Sequence, residues 1–377
     1  MMEQPNPTYK PYRFIIAGGG TGGHIFPAVA IAHALKKMAP GSEFLFIGAK
    51  GKMEMEKVPQ AGFAIRGLTI SGFNRSSLIK NISLPYKLVK SFFEVASIMK
   101  GFRPDAVLGV GGYSTYPVLR YAQAKGIPTF IHEANSFAGK SNIMLGKKAS
   151  KIYTGTRGME KFFPSDRLMV TGNPVRQSIS GTAGSIRQDA ALDRFGLKPG
   201  MPTVLVVGGS LGAKNINEAV EKDISLFDKN GLQLIWQTGK PFLDRAKLAA
   251  ANRPGVFVSD FITDMENAYA AADLVISRSG AMAVAELCIV KKPVIVVPFP
   301  HAADDHQTVN AMNLVNEQAA MIVKDSAARE DLVPAAISLA ADADRRRYLA
   351  GHISRLAIQD ADDVVAKDML ETLSKLK

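Results

Sequence analysis

Short runs of aliphatic residues, each closing on a small-residue turn and leading into a helix-like stretch, recur along almost the whole chain. RFIIAG (13–18), EFLFIG (43–48), DAVLGVGG (105–112), IPTFIHE (127–133), KIYTG (151–155) and LMVTGN (168–173) fall in the first half. TVLVVGGS (203–210), LQLIWQTG (232–239), VFVSDF (256–261), DLVISRSG (273–280) and KPVIVVPFP (292–300) fall in the second. Runs so short and continuously apolar read as parallel strands buried on both faces. Their alternation with helices predicts an α/β chain of doubly wound parallel sheets. At roughly 150 residues per domain, 377 residues make two domains. The pattern restarts: strand, glycine turn and helix open the chain at Arg13 and open again at Pro202. Two Rossmann-like domains are therefore expected, joined near the Gly-, Ser- and Thr-rich stretch 171–185. The first covers 12–175 and is completed by a C-terminal helix at about 355–377; the second covers 176–354. Segment 340–377 reads as helical. In such sheets ligands sit beyond the C-terminal strand ends, which would line one cleft if the domains face each other.

Charge narrows the partners. The net charge is +12, and residues 1–176 hold 24 Lys and Arg against 9 Asp and Glu, so the basic excess lies wholly in the first half. An anionic partner is expected there. Base-stacking aromatics are not interleaved with that charge, so nucleic acid is not expected. The single cysteine, Cys288, lies in an apolar helical run and reads as core; it permits neither an internal disulfide nor a cysteine metal site. No apolar run reaches the roughly 18 residues of a membrane span, and the first residues lack a signal core.

The strand ends carry the chemistry. Gly18, Gly20 and Gly23 match the dinucleotide fingerprint, which leaves an NAD(P)-dependent oxidoreductase as a rival reading. That reading wants an acid at the end of the second strand, where Gly48 and Ala49 stand instead. No Gly-Lys-Ser/Thr follows, so a Walker A loop is excluded. His24, in the turn before a helix expected near Pro27, is placed to take a proton near neutral pH. His132, Glu133 and Asn135 share the next informative strand end; Ser136 breaks the zinc-protease pattern. Gly208, Gly209 and Ser210 form a second phosphate-type turn. Ser277, Arg278, Ser279 and Gly280 lead into a helix near Ala281, whose free N–H groups suit a diphosphate with Arg278 beside it. Glu286, in that helix's second turn, is suited to accept two ribose hydroxyls. His301, Asp304, Asp305, His306 and Gln307 read as a hydrogen-bonding loop rather than a metal site. His33 and His352 read as helix residues without chemistry, and the Asp pairs at 342–344 and 360–362 as solvated faces. No metal and no cofactor are expected.

GGGTGGHIFPAVAIA, GVGGYSTYP, HEANSFAGKSN, TGNPVR, GGSLGA, SRSGAMAVAE and PFPHAADDHQTVNA occur in that order. Together they closely resemble the MurG family of bacterial UDP-N-acetylglucosamine transferases, from about Arg13 to the C-terminal helices. The resemblance implies a GT-B fold. It implies inverting transfer of GlcNAc from UDP-GlcNAc to the C4 hydroxyl of undecaprenyl-diphosphate-linked MurNAc-pentapeptide. It places donor contacts at Thr21, Gly22, Gly23, Asn135, Arg176, Ser210, Ile262, the Ala281–Glu286 helix start with Met282, and Gln307. It also implies a peripheral enzyme on the cytoplasmic face of the inner membrane, with UDP in the second domain and the lipid diphosphate in the first. Another UDP-sugar-dependent GT-B lipid glycosyltransferase is the nearest alternative.

The transfer asks for a base at the acceptor hydroxyl, with His24 as candidate and Glu133 as its rival, and for charge stabilisation at the departing diphosphate. Segment 76–102 mixes Leu78, Ile79, Leu84, Phe92 and Phe93 with Lys80, Lys87, Lys90 and Lys100, a composition suited to an anionic membrane surface. Positions 88, 92, 96 and 99 also match the inner face of a crossover helix.

Overall fold

The computed structural model of the chain describes residues 9–72, 82–302 and 305–376. It divides into two compact units, Met1–Val175 with Asp360–Lys377, and Arg176–Gln359. Leu78, Ile79, Lys80 and Asp304 lie outside the described residues.

Unit 1 runs β1 (Arg13–Ala17), α1 (Gly22–Met38), β2 (Glu43–Ala49), α2 (Glu54–Gln60), β3 (Ala64–Leu68), α3 (Leu84–Phe102), β4 (Ala106–Gly109), α4 (Thr115–Ala124), β5 (Thr129–Glu133), α5 (Lys140–Gly146), β6 (Lys151–Thr154) and β7 (Leu168–Val170). Its sheet has the order β3-β2-β1-β4-β5-β6-β7, and every pairing is parallel. Strands β1 and β4 are neighbours, with Ala17 opposite Gly109. The strand order reverses between them, so this is the switch point where such sheets hold ligands. Both glycine turns of the first half leave from it. Apolar side chains cover both faces of the sheet, with Phe14, Ile16 and Phe130 on one and Ile15, Val107 and Ile131 on the other.

Unit 2 runs α6 (Gln177–Ser180), α7 (Gln188–Arg194), β8 (Thr203–Val207), α8 (Lys214–Lys229), β9 (Gln233–Gln237), α9 (Leu243–Ala249), β10 (Val256–Ser259), α10 (Met265–Ala271), β11 (Leu274–Ser277), α11 (Ala281–Val290), β12 (Val294–Val296), α12 (His306–Asn316), β13 (Met321–Ile322), α13 (Ala328–Ala341) and α14 (Ala343–Ser354). The order β10-β9-β8-β11-β12-β13, again all parallel, repeats the plan, with its switch point between β8 and β11. The buried Trp236 indole donates to Asn217 Oδ1 at 3.0 Å, so its one polar atom is satisfied inside the core. Cys288 is buried, and burial pushes its thiol up to about 12.

The C-terminal stretch is not one helix. Asp342 ends α13 and caps α14, accepting from Arg345 N–H at 2.8 Å while it and Asp344 stay exposed to solvent as expected. The chain then returns to unit 1 as α15 (Ala361–Lys375), which buries Val365, Ala366, Met369 and Leu370 in the core beside α1. Tyr153 donates to Asp368 at 2.8 Å and ties α15 to the sheet's side of that core.

Two strands escape the sequence reading. β3 alternates exposed and half-buried residues, carries Arg66 and sits at the sheet edge, so it lacks the continuous apolar run of its neighbours. β13 is two residues long. The buried line of α3 is Ser91, Val95 and Met99, so of the expected 88, 92, 96 and 99 only Met99 is fully buried. The serine hides it: Ser91 satisfies its hydroxyl on the Leu88 carbonyl at 2.6 Å, which lets a polar residue face inward while Leu88 stays exposed.

Candidate functional site

In unit 1 the turn after β1 and the turn after β4 are bonded to each other. Gly19 N–H donates to the Gly111 carbonyl at 3.2 Å. Thr115 Oγ1 donates to the carbonyls of Ala17 and Gly111 at 3.0 and 2.9 Å, pinning the start of α4 to both. Gly112 has φ +93°, and a Cβ there would lie 2.4 Å from the Gly19 oxygen, so only glycine admits this approach.

Helix α1 begins at Gly22, five residues before Pro27, which lies in its second turn. His24 is therefore in the first turn, directly over the glycines. Its Nδ1 is 3.0 Å from the Gly19 carbonyl, with Thr21 Oγ1 at 3.5 Å. A carbonyl only accepts, so Nδ1 is the donor, and in the neutral ring Nε2 then carries the lone pair. Nε2 looks onto Gly111, where a Cβ would stand 2.8 Å away. Thr21 is exposed, and Gly22 and Gly23 are half-buried.

Behind it, His132 is fully buried. Burial lowers its pKa to about 4, the His24 charge adds to that, and a hydrogen bond to the Gly172 carbonyl at 3.4 Å opposes it. His132 is thus neutral at pH 7.

Glu133, the rival base, is 4% exposed and surrounded by donors. Oε1 accepts from Asn135 N–H at 3.1 Å and from its side-chain amide at 3.4 Å; Oε2 accepts from Gly139 N–H at 3.0 Å and Asn142 Nδ2 at 2.9 Å. Such a carboxylate organises the 135–142 loop, and Asn135 is held by it.

The dinucleotide reading fails on a residue that the sequence did not single out. Gly20 N–H, one of the donors a pyrophosphate would use, donates instead to the buried carboxylate of Glu54 at 2.8 Å. That N–H is already taken and is not offered to a dinucleotide pyrophosphate.

In unit 2, Ser277 pairs with Val296 and with Val207, so the turns after β8, β11 and β12 leave side by side. Ser210 is exposed on the first. Gln237, 3% exposed, connects that turn to the β10–α10 loop. It donates to the Gly209 carbonyl at 3.1 Å and accepts from Ile262 N–H at 2.9 Å. Ile262 is fixed by this bond and buried at 4%. A polar residue closing the buried run LQLIWQ was the available signal.

Helix α11 starts at Ala281 after Gly280, with Ala281 and Met282 half-buried. Glu286 is 8% exposed. Arg176 reaches its Oε1 with Nε at 3.1 Å and Nη2 at 3.0 Å, and Tyr269 donates to Oε2 at 3.1 Å. Burial raises the Glu286 pKa, and Arg176 and Tyr269 oppose that shift. Gln307 braces the neighbouring loop: Oε1 accepts from Phe299 N–H at 3.0 Å, and its carbonyl accepts from Ser279 Oγ at 2.8 Å.

Arg278 does not join this group. Its guanidinium donates to the carbonyls of Val297 and Pro298, pairs with Asp325 at 2.5 Å and lies over the Phe299 ring. These three polar contacts all run through Nη1 and tie that edge of the guanidinium to its own unit. Among the described residues no cluster of His, Cys, Asp or Glu has the geometry to hold a metal.

Residues 14–154 match the glycosyltransferase family 28 N-terminal domain, and residues 203–364 match its C-terminal domain. A relative from Phocaeicola vulgatus is 47% identical over 97% of this chain and 97% of its own length, and one from Cytophaga hutchinsonii is 46% identical over 98% and 99%. Both bear the name UDP-N-acetylglucosamine--N-acetylmuramyl-(pentapeptide) pyrophosphoryl-undecaprenol N-acetylglucosamine transferase. The crystal structure of Acinetobacter baumannii MurG superposes with a TM-score of 0.76 at 28% identity, covering 96% of this chain and 99% of that one. With both family 28 domains present in order, two parallel Rossmann-like sheets and full-length similarity to these transferases, the chain belongs to the MurG family of glycosyltransferases.

Proposed function

We propose that the protein transfers GlcNAc from UDP-GlcNAc to the C4 hydroxyl of undecaprenyl-diphosphate-linked MurNAc-pentapeptide with inversion, using Nε2 of His24 as the base. The observation that carries this is the His24–Gly19 hydrogen bond. It holds the proton on Nδ1 and leaves a lone pair on Nε2 at the switch point of unit 1. The acceptor O4 attacks C1 of GlcNAc as its proton passes to Nε2. The bond from C1 to the β-phosphate oxygen breaks, and UDP leaves with that electron pair. Glu133 has both oxygens engaged by four donors and serves as a loop organiser.

Unit 2 is assigned the UDP. The N–H groups at the start of α11, with Ala281 and Met282, and the exposed Ser210 suit its diphosphate. Glu286 suits the ribose hydroxyls, with Arg176 free to exchange its carboxylate partner for phosphate when they bind. Ile262, Gln307, Thr21, Gly22, Gly23 and Asn135 complete the donor set that the family resemblance implies. The basic first half suits the lipid diphosphate.

The acceptor lies in a membrane, and among the described residues no helix is long and apolar enough to cross one. The first half of α3 suits peripheral docking on the anionic inner leaflet. Tyr86, Val89 and Phe93 are 67, 57 and 74% exposed, and Lys90 stands among them. Lys87 is less available, because it donates to Ser71 at 3.1 Å.

The test is transfer of label from UDP-GlcNAc to a short-chain lipid-diphosphate muramoyl-pentapeptide. His24→Ala is expected to lower kcat roughly 10²- to 10⁴-fold while UDP-GlcNAc still binds. A variant turning over at the wild-type rate would remove His24 as the base. Binding of donor without transfer by the wild type would keep the fold and reopen the acceptor.

A further inference from the structure

Glu54 takes no part in the reaction just described, yet it is 1% exposed, and among the described residues no salt bridge reaches it. Burying a carboxylate is costly unless its oxygens are bonded. Both are. Oε1 accepts from Ala49 N–H at 2.9 Å, and Oε2 accepts from Gly20 N–H at 2.8 Å. Two glycines make room for it: a Cβ on Gly19 would lie 2.3 Å from Glu54 Cδ, and one on Gly48 would lie 2.4 Å from Cγ.

The Gly20 N–H and the Gly19 carbonyl are opposite ends of one peptide group. That carbonyl is the acceptor for Nδ1 of His24. Carboxylate, peptide and imidazole thus form one hydrogen-bonded chain across two separate stretches of sequence. We propose that Glu54 is a positioning residue for proton transfer at His24, acting through the Gly19–Gly20 peptide to hold the Nδ1–H tautomer and to stabilise the imidazolium formed when Nε2 takes a proton.

The physical basis is polarisation. An anion accepting from an amide N–H draws electron density toward the carbonyl end of that amide and makes it a stronger acceptor. In a Ser-His-Asp triad a buried carboxylate fixes the imidazole tautomer by direct contact. Here a peptide is interposed. The arrangement keeps the carboxylate off the imidazole's reacting side and inside the sheet layer. The other groups facing His24 are Thr21 Oγ1 on its own helix, the Gly111 backbone from the β4–α4 turn, and His132 from β5. Burial keeps His132 neutral at pH 7, so Glu54 is the carboxylate of this group.

The inference rests on His24 being the base, and the test separates the two. In full-length Glu54→Gln, nitrogen NMR of His24 reads the tautomer without reference to turnover. The expected result is loss of the Nδ1–H form as the dominant neutral species. With it, kcat falls on the order of 10- to 100-fold, as for other carboxylates that orient a histidine. The acid limb of kcat/KM moves to lower pH, because removing a nearby negative charge disfavours the protonated imidazole, and KM for UDP-GlcNAc stays put. A fall in kcat with tautomer and acid limb unmoved would overturn the proposal and leave Glu54 as a brace for the turn. His24→Ala at the wild-type rate would instead sink the base assignment, whatever the NMR shows. Should Glu54→Gln fail to fold, Glu54→Asp carries the same test. Its shorter carboxylate is expected to move both readouts part of the way, and unmoved readouts overturn the proposal.

Discussion

The guanidinium of Arg176 lies 3.0 Å from Oε1 of Glu286, and the same carboxylate takes a hydrogen bond from Tyr269 at 3.1 Å on its other oxygen. Two residues, 110 and 17 positions away in sequence, thus converge on the carboxylate in the second turn of α11. Arg176 is the first residue of unit 2, so the chain's entry into that unit is tied directly to α11.

Glu286→Gln is expected to raise KM for UDP-GlcNAc roughly 10-fold or more, since hydrogen bonds to a charged group are worth about 1.5–3 kcal/mol. kcat should change little, because ribose contacts are made equally in ground and transition states. Stability should move the other way with pH. Burial raises the Glu286 pKa above its ordinary value of 4.5. A carboxylic acid with a raised folded pKa contributes stability that is full below the unfolded pKa and lost as pH rises through the folded one. The Gln variant should therefore gain on the wild type in ligand-free stability as pH rises above 4.5 toward neutrality. Chemical denaturation of unit 2 across that pH range, paired with donor kinetics, checks both halves.

Arg278 gives the opposite separation. Its pair with Asp325 is nearly buried, with side chains 12 and 9% exposed. Removing one partner of a buried pair costs about 3–5 kcal/mol, because the other charge is stranded. Arg278→Met should lower the denaturation midpoint of unit 2 sharply while the folded fraction binds UDP-GlcNAc with wild-type affinity. Equilibrium titration at low temperature decides the matter: a tenfold weaker Kd would restore Arg278 to the diphosphate.

These pairs mark where the sequence ran out. The strands and their turns were legible because parallel strands buried on both faces need unbroken apolar runs, and because backbone approaching a ligand needs glycine. β3 was not, since an edge strand with Arg66 has no such run. The Arg278–Asp325 pair was not legible either, because its two members stand 47 positions apart. Glu54 and Gln237 were invisible for a related reason. Nothing within a few residues of Glu54 foretells that Gly20, 34 positions earlier, will donate to it. Local pattern reports periodicity and turn chemistry; the partner of a buried polar group is fixed by tertiary packing.

His132 should make unit 1 acid-sensitive. Its pKa is lowered to about 4, chiefly by burial, against an ordinary 6.5. Between those values the unfolded chain binds a proton that the folded chain refuses, so stability rises with pH across that window. The contribution is complete above pH 6.5 and about 3 kcal/mol of it is lost by pH 4. His132→Gln should flatten this slope in denaturation curves read from unit 1. A wild-type slope unchanged by the substitution would place the acid sensitivity elsewhere.

Membrane docking through α3 makes the last prediction. Tyr86, Val89 and Phe93 present apolar surface on the helix's outer side, where they support no core. Val89→Ser with Phe93→Ser should leave folding intact and transfer to a water-soluble short-chain acceptor near wild type. The double variant should lose most of its co-sedimentation with vesicles containing phosphatidylglycerol, because burying two such side chains in the interface is worth roughly 3–6 kcal/mol. Lys90→Glu should weaken binding further at low salt and less at high salt, since about 1 kcal/mol per lysine comes from the anionic surface and is screened. The salt dependence separates the two contributions: an apolar loss persists at 0.5 M NaCl, and an electrostatic one does not. Sedimentation unchanged by all three substitutions would move the docking surface off α3.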